Sequence, residues 1–276
     1  MDRHALVTGV HGFTGTYVAC ALAQAGYRVF GTGITDQEQP DYFRIDLGDS
    51  EALESLVAEV RPEVVVHLAA LSFVGHGDPN GFYAVNLAGT RNLLSALAKT
   101  PQDLRCVLLA SSANVYGNVA ESPITEASPP NPVNDYAVSK LAMEYMAALW
   151  LDRLPIVITR PFNYTGVGQA GHFLLPKIVD HFRRGERAIE LGNIDVARDF
   201  SDVRSVVSAY LRLIELVPVG ATFNVCSGEA TSLQRVIAMM EDIAGYPIDV
   251  QVNPAFVRSN EVKHLRGSRR KLEQAT

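Results

Sequence analysis

Short apolar runs alternate with longer stretches of helical spacing from Ala5 to Pro161, and no other feature restricts the fold of this 276-residue chain as strongly. Residues 5–10 form an apolar run that ends in glycine-rich sequence. Residues 14–25 then place Val18, Leu22 and Ala25 on one side of a helix that stops at Gly26. A second strand is predicted over 27–32. An amphipathic helix follows over 50–60, capped by Asp49 or Ser50 and closed before Pro62. Residues 64–68 are apolar on both sides of the strand repeat, as expected where both faces are covered. The pattern recurs as a helix over 86–99, a strand over 106–110, a helix over 136–151 and a strand over 156–159 halted by Pro161. Successive strand–helix–strand units with short joins predict an α/β fold, a doubly wound parallel sheet with helices on both faces.

Past Asn163 the character changes. Gly166, Gly168 and Gly171 open a loop before a helical stretch at 173–184, and Arg198, Arg204, Arg258, Arg266, Arg269 and Arg270 make the later loops basic. Residues 222–226 read as a strand able to return to the main sheet. The expected organisation is a first domain over 1–165 with a returning segment near 200–228, and a small α/β carboxy-terminal domain from 166–199 and 229–276.

A net charge of −6 argues against nucleic acid as a partner. The longest apolar stretch, 64–74, is broken by His67 and too short for a membrane span, and Asp2 and Arg3 lead straight into a strand with no signal peptide. Cys20, Cys106 and Cys226 match no metal-ligand spacing. They are expected as buried, reduced thiols in a cytoplasmic protein that holds no metal.

The first strand and helix are joined by Thr8-Gly9-Val10-His11-Gly12-Phe13-Thr14-Gly15. Glycines at 9, 12 and 15 allow a sharp turn and close backbone approach to a pyrophosphate, which the helix amino terminus attracts. The spacing is G-x-x-G-x-x-G, and its strand–turn–helix context points to a dinucleotide cofactor. After the second strand no carboxylate occurs until Asp36, which leaves room for a ribose 2′-phosphate, although no arginine follows directly to clamp it. NADP(H) is therefore expected, with NAD(H) possible. Asp46, before Leu47, is placed to bond an adenine amine.

Tyr136 and Lys140 stand four apart at a helix start and share a face. An ammonium beside a phenol favours the phenolate and lowers its pKa, so the pair suits proton transfer accompanying hydride transfer at a carbonyl. Ser111 and Ser112 close the preceding strand at the edge where parallel sheets bind ligands. A hydroxyl there can polarise a substrate carbonyl, and Asn86 is expected to orient Lys140 directly or through water.

Together, the loop at 8–15, Val85-Asn86-Leu87, Ser111-Ser112 with Val115-Tyr116-Gly117, Tyr136-x-x-x-Lys140 and Arg160-Pro-Phe-Asn163 resemble the extended short-chain dehydrogenase/reductase family. The resemblance implies a Rossmann-like NADP-binding domain, a nucleotide-sugar substrate and Ser112, Tyr136 and Lys140 as catalytic residues. It implies cofactor contacts from Gly9, Gly12, Phe13, Thr14, Gly15, Asp46, Leu47, Leu68, Ala69, Ala70, Asn86, Ser111, Tyr136, Lys140 and Pro161. Members usually pair through two long helices each, here 86–99 and 136–151, so a homodimer with a four-helix interface is expected.

The second half resembles the branch acting on GDP-mannose derivatives, through Phe162–Gln169, the segment from Gly192 to Phe200, and Arg258-Ser-Asn-Glu261. That implies Arg198 and Arg258 on the diphosphate, Glu261 on a ribose hydroxyl, and Ser112, Asn114, Asn163, Phe173 and Lys177 as further substrate contacts. Tyr164 and Val167 stand where the branch carries histidine and proline, and relatives continue beyond the position of Thr276. In dehydratases of the branch a carboxylate lies two residues after the catalytic serine or threonine. Here that residue is Asn114, which cannot abstract a proton. The reaction implied is reduction at C4 of GDP-4-keto-6-deoxy-D-mannose to GDP-D-rhamnose, or to its C4 epimer GDP-6-deoxy-D-talose. A nucleotide-sugar 4-epimerase or 4,6-dehydratase, and a non-catalytic NADP-binding regulator, are the alternatives.

Overall fold

The computed structural model describes residues 3–72, 78–101, 103–119, 122–257 and 262–276; Arg258 and Glu261 lie outside them. The chain opens with β1 (Arg3–Thr8), α1 (Phe13–Gln24), β2 (Tyr27–Gly33), β3 (Tyr42–Arg44), α2 (Ser50–Val60) and β4 (Val64–His67). Next come α3 (Pro79–Phe82), a π-helical stretch (Tyr83–Gly89), α4 (Thr90–Lys99), β5 (Cys106–Ala110), α5 (Asp135–Ala148) and β6 (Ile156–Pro161). Asp49 caps α2 by accepting from the Ala52 N–H, as its position predicts.

Seven strands form the main sheet; β10 (Thr222–Val225) lies at one edge, and the order is β10–β6–β5–β4–β1–β2–β3 with every pair parallel. The segment expected to return to this sheet is therefore β10, beside β6. The strand order reverses between β1 and β4, and the carboxyl ends of those strands form the crevice where such sheets take ligands. Alternate residues of one strand face opposite layers. Val7 and Val66 pack with Val18 and Leu22 of α1 and with Val206 and Tyr210, which lie on α7 (Val203–Leu216). Leu6 and Val65 pack with Leu53, Leu56, Leu93 and Leu97 of α2 and α4. Coverage of both faces explains why the strands read as continuous apolar runs.

A smaller unit follows β6. It contains β7 (Asn163–Thr165), α6 (Leu174–Arg183), β8 (Ala188–Leu191), β9 (Ala197–Asp202), β11 (Ala230–Ser232), α8 (Leu233–Ala244), β12 (Asp249–Val252) and β13 (His264–Leu265), and the chain closes with α9 (Arg270–Ala275). β8 pairs in parallel with β12, and β9 carries β7, β11 and β13. Its core joins Ile178 and Phe182 of α6 to Leu233 and Ile237 of α8.

Some local expectations change. The helix read from Asn86 is entered earlier, through α3 and the π-helical stretch, so Asn86 is a buried interior residue. Only Cys106 of the three cysteines is fully buried. Cys20 is exposed, because α1 turns Thr14, Gly15, Val18 and Leu22 inward and leaves Cys20 on its outer side. Among the described residues no helix is long and apolar enough to cross a membrane.

Candidate active site

The glycine loop folds back on itself at the carboxyl end of β1. Gly9 has φ +69, in the region glycine favours, and a Cβ there would sit 2.9 Å from the Ala69 nitrogen. A Cβ on Gly15 would lie 2.2 Å from the Gly9 carbonyl oxygen and 2.6 Å from that of Val10. The backbone is thus packed against itself, with Leu68, Ala69 and Ala70 at the neighbouring strand end. Gly12 caps α1 without a side-chain bond and no acidic residue occupies its first turn, so the helix dipole meets an incoming anion unopposed. This cradle fits a pyrophosphate. Gly15→Ala is expected to weaken NADPH binding at least about tenfold, since overpacking of this kind costs roughly 1–3 kcal/mol; a nicotinamide-fluorescence titration measures it.

Beneath the loop a buried chain of hydrogen bonds holds β1 and β4 together. Thr8 Oγ1 donates to His67 Nδ1 (2.7 Å) and accepts from the Leu68 and Ala69 N–H groups (3.2 Å each). His67 Nε2 donates to Thr90 Oγ1 (2.8 Å), whose hydroxyl donates to the Asn86 carbonyl oxygen (2.7 Å). Those partners set the neutral tautomer of His67. Burial, then the nearby Lys140 charge, pushes the imidazole down to about 3 from 6.5. The unfolded chain binds this proton below pH 6.5 and the folded chain does not, so stability is lost as pH falls from about 6.5 to about 3. The loss expected from this one group is on the order of 4 kcal/mol. Denaturation midpoints of the parent and His67→Gln across that window test it; equal acid slopes would exclude the effect.

The candidate catalytic side chains come from the turn after β5 and from α5. Asn134 caps α5 by accepting from the Ala137 N–H (2.9 Å), which starts the helix beside Tyr136. Ser112, in extended conformation, caps the 3-10 turn Ala113–Tyr116 and is hydrogen-bonded to Tyr136. Ser112, Asn114, Pro161 and Asn163 line one small concavity with Ala113, Phe162 and Leu265, and no carboxylate is among these lining residues. Burial pushes the Tyr136 phenol up to about 12, opposed by the Ser112 hydrogen bond and reinforced by Tyr164. Burial pushes the Lys140 ammonium down to about 8, opposed by Glu144. The spacing argument predicts a lowered phenol, and the direction is reversed because burial dominates and only the Ser112 hydrogen bond opposes it. Lys140 Nζ is turned to the Ala110 carbonyl oxygen (2.8 Å).

Two side chains turn elsewhere than toward Lys140 and the crevice. Asn86 makes no direct side-chain bond to Lys140: it accepts from the Leu71 N–H (2.9 Å) and donates to the Leu71 carbonyl oxygen (3.1 Å) and Ser139 Oγ (3.0 Å). Being sunk in the helix interior, it ties α5 to the segment after β4. The Ser111 hydroxyl is not turned to the cofactor crevice. It donates to Glu144, which also takes Arg160 Nε (3.0 Å) and Nη2 (2.6 Å) in a fork. A buried carboxylate has to fill its acceptor sites, and Ser111, just after β5, supplies one donor.

The remaining residues are dispersed. Phe13 stacks on Tyr164 (6.0 Å, 15°), and Thr14 Oγ1 meets the Tyr164 hydroxyl at 2.8 Å. The tyrosine standing in the histidine position thus ties the glycine loop to the strand after β6. Leu47 is buried against Gly89, whereas Asp46 is exposed and accepts from the Gly48 N–H (2.8 Å). Phe173 caps α6. Lys177 Nζ donates to the Glu190 carbonyl oxygen (2.6 Å), and Arg198 Nη1 donates to the Ala197 and Lys263 carbonyl oxygens (3.0 and 3.1 Å). Arg44, at the end of β3, is set opposite Gly33 by strand pairing, a placement that only the β2–β3 register gives.

Fold and site together are those of a dinucleotide-dependent enzyme, and the profile of the NAD dependent epimerase/dehydratase family matches residues 5–226. The chain belongs to that family, part of the extended short-chain dehydrogenases/reductases, and is an NAD(P)-dependent oxidoreductase acting on a CH–OH group. It is 37% identical to the GDP-6-deoxy-D-mannose reductase of Pseudomonas aeruginosa, over 100% of this chain and 91% of the relative. It is 33% identical to the GDP-6-deoxy-D-talose 4-dehydrogenase of Aggregatibacter actinomycetemcomitans, over 97% and 89%. Among solved structures, RMD from Pseudomonas aeruginosa complexed with NADPH superimposes with a TM-score of 0.86 at 35% identity, covering 100% of this chain and 92% of that one.

Proposed function

We propose that this protein reduces the C4 keto group of GDP-4-keto-6-deoxy-D-mannose with NADPH, forming GDP-D-rhamnose. The observation that carries the reading is Ser112, beside the buried Tyr136, in a concavity that Asn114 lines and no carboxylate does. The two GDP-deoxysugar relatives support the substrate class.

The cradle of Gly9, Gly12 and Gly15 would hold the pyrophosphate, with Leu68–Ala70 alongside. When bound, NADPH supplies the hydride for C4. Ser112 donates to the carbonyl oxygen and polarises it. Tyr136, raised to about 12, keeps its proton through the neutral range and releases it as the oxygen becomes a far more basic alkoxide. Lys140, one turn along α5, supplies positive charge to the developing phenolate. Its value near 8 makes the rate fall as pH climbs through that point. Residues 1–165 with the returning strand serve the cofactor; 166–199 and 229–276, including Arg198, Arg258 and Glu261, serve the GDP-sugar. Val138, Tyr145 and Leu149 stay exposed along α5, which supports pairing of two copies through α4 and α5.

The talose relative favours a second reading, attack on the opposite face to give GDP-6-deoxy-D-talose. Incubation with NADPH and the keto sugar, followed by NMR of the product, decides between them through the C4 configuration. Recovery of unchanged NADPH beside epimerised sugar would reject both.

A further inference from the structure

We propose that Tyr164 is a positioning residue that latches the first turns of α1 to the strand carrying Asn163, so that a dinucleotide on α1 and a GDP-sugar in the smaller unit each strengthen binding of the other. The inference rests on the GDP-sugar reading and concerns how the two ligand seats communicate.

Successive residues of a strand point to opposite sides, so on β7 Asn163 and Thr165 share one side and Tyr164 takes the other. Asn163 lines the concavity of Ser112 and Asn114. Tyr164 reaches α1 instead. Its ring stacks on Phe13 (6.0 Å, 15°), and its hydroxyl shares a 2.8 Å hydrogen bond with Thr14 Oγ1. Phe13, Thr14 and Tyr17 fall on one face of α1, at spacings of three and four residues. The Phe13 ring meets Tyr17 edge-on at 5.8 Å, and the Tyr17 hydroxyl donates to the Val167 carbonyl oxygen (2.8 Å). The end of β7 is pressed against the same helix, since a Cβ on Gly166 would lie 3.4 Å from Phe13 Cζ and 2.6 Å from Val203 Cγ1. Gln169 folds back and donates from Nε2 to the Tyr164 carbonyl oxygen (3.2 Å).

Both ends of this latch belong to ligand seats. Phe13 and Thr14 open α1, whose amino terminus faces the pyrophosphate cradle, so an anion bound there fixes the turn from which their side chains leave. On the other side β7 runs parallel to β9, with Asn163 opposite Phe200 and Tyr164 opposite Ser201. Arg198 lies on β9, two residues before Phe200. Displacing Tyr164 therefore moves Asn163 along the chain and β9 through the ladder. The first ligand to bind meets the cost of ordering the shared segment, and the second binds to a segment already ordered.

The test is calorimetric titration of the full chain with GDP-mannose, without and with saturating NADP+, in the parent, Tyr164→Phe and Tyr164→Val. In the parent, NADP+ is expected to tighten GDP-mannose about tenfold, and GDP-mannose to tighten NADP+ by the same factor. Tyr164→Phe keeps the stack and loses one neutral hydrogen bond, so this coupling should fall about threefold or more. Tyr164→Val keeps neither contact and should leave a coupling below about twofold, with the affinity of each ligand alone changed less than the coupling. NADP+ by itself should slow amide exchange across 163–169 in the parent and not in Tyr164→Val. Coupling in both variants equal to the parent's, even where the separate affinities fall, would overturn the role and leave Tyr164 a packing residue. A parent that binds GDP-mannose equally with and without NADP+ removes the proposal alone, whereas one that binds none in either state removes the GDP-sugar reading with it.

Discussion

Tyr136→Phe is expected to lower turnover of the keto sugar by about 10²- to 10⁴-fold, the range lost with a general acid, while NADPH affinity stays within about twofold. Only the hydroxyl is removed. The ring keeps its place at the start of α5 against Phe82, 6.0 Å away. Burial holds the phenol protonated up to about 12, so the parent enzyme carries its proton at every pH where the fold is intact. The alkaline limb of the parent's pH–rate profile is therefore assigned to Lys140, near 8, and Tyr136→Phe should keep that limb at its reduced rate. Stopped-flow NADPH oxidation across pH 6–10 checks both points. Undiminished turnover would remove Tyr136 from the proton-donor role.

Arg160→Ala is expected to destabilise the fold by about 3–5 kcal/mol, more than any surface change, because it strands a buried carboxylate. The Arg160 and Glu144 side chains are only 9% and 7% exposed, and their pair lies at the centre of a larger network. Arg160 Nη1 donates to the Tyr116 hydroxyl (2.8 Å), Tyr116 donates to Asn224 Oδ1 (2.7 Å) and Ser111 donates to Glu144. Ser111 precedes Ser112, and Tyr116 ends the turn that Ser112 caps, so the pair anchors Ser112 on both sides. Glu144→Leu combined with Arg160→Met should recover most of the lost stability, since no charge is then stranded. Urea denaturation of the single and double variants measures this. A double variant no more stable than Arg160→Ala would show that the network, not the stranded charge, carries the cost.

Much of the fold was legible because its signals are local. The helix at Ser50–Val60 needs only its own apolar spacing and the Asp49 cap, and the strand at Val64–His67 needs only an unbroken apolar run. The glycine turn and the Tyr136–Lys140 spacing likewise lie within a few residues. The side-chain partners of Ser111 and Asn86 were not legible for one shared reason. Ser111 is claimed by Glu144, 33 residues away, and Asn86 by Ser139, 53 away. No window of sequence contains both partners of such a contact.

The protonation of Tyr136 shows the same division most sharply. Four-residue spacing on a helix is enough to put a lysine near a tyrosine, and from that alone the phenol should be acidic. Burial depends on what Phe82, Ser112 and Tyr164 place around the ring, and it turns the shift upward instead. Periodicity, capping and turn chemistry were written into the chain, as energies of neighbouring residues. Which hydroxyl meets which carboxylate, and whether a phenol holds its proton, were decided by packing. Desolvation and partner choice exist only once distant segments have excluded water between them.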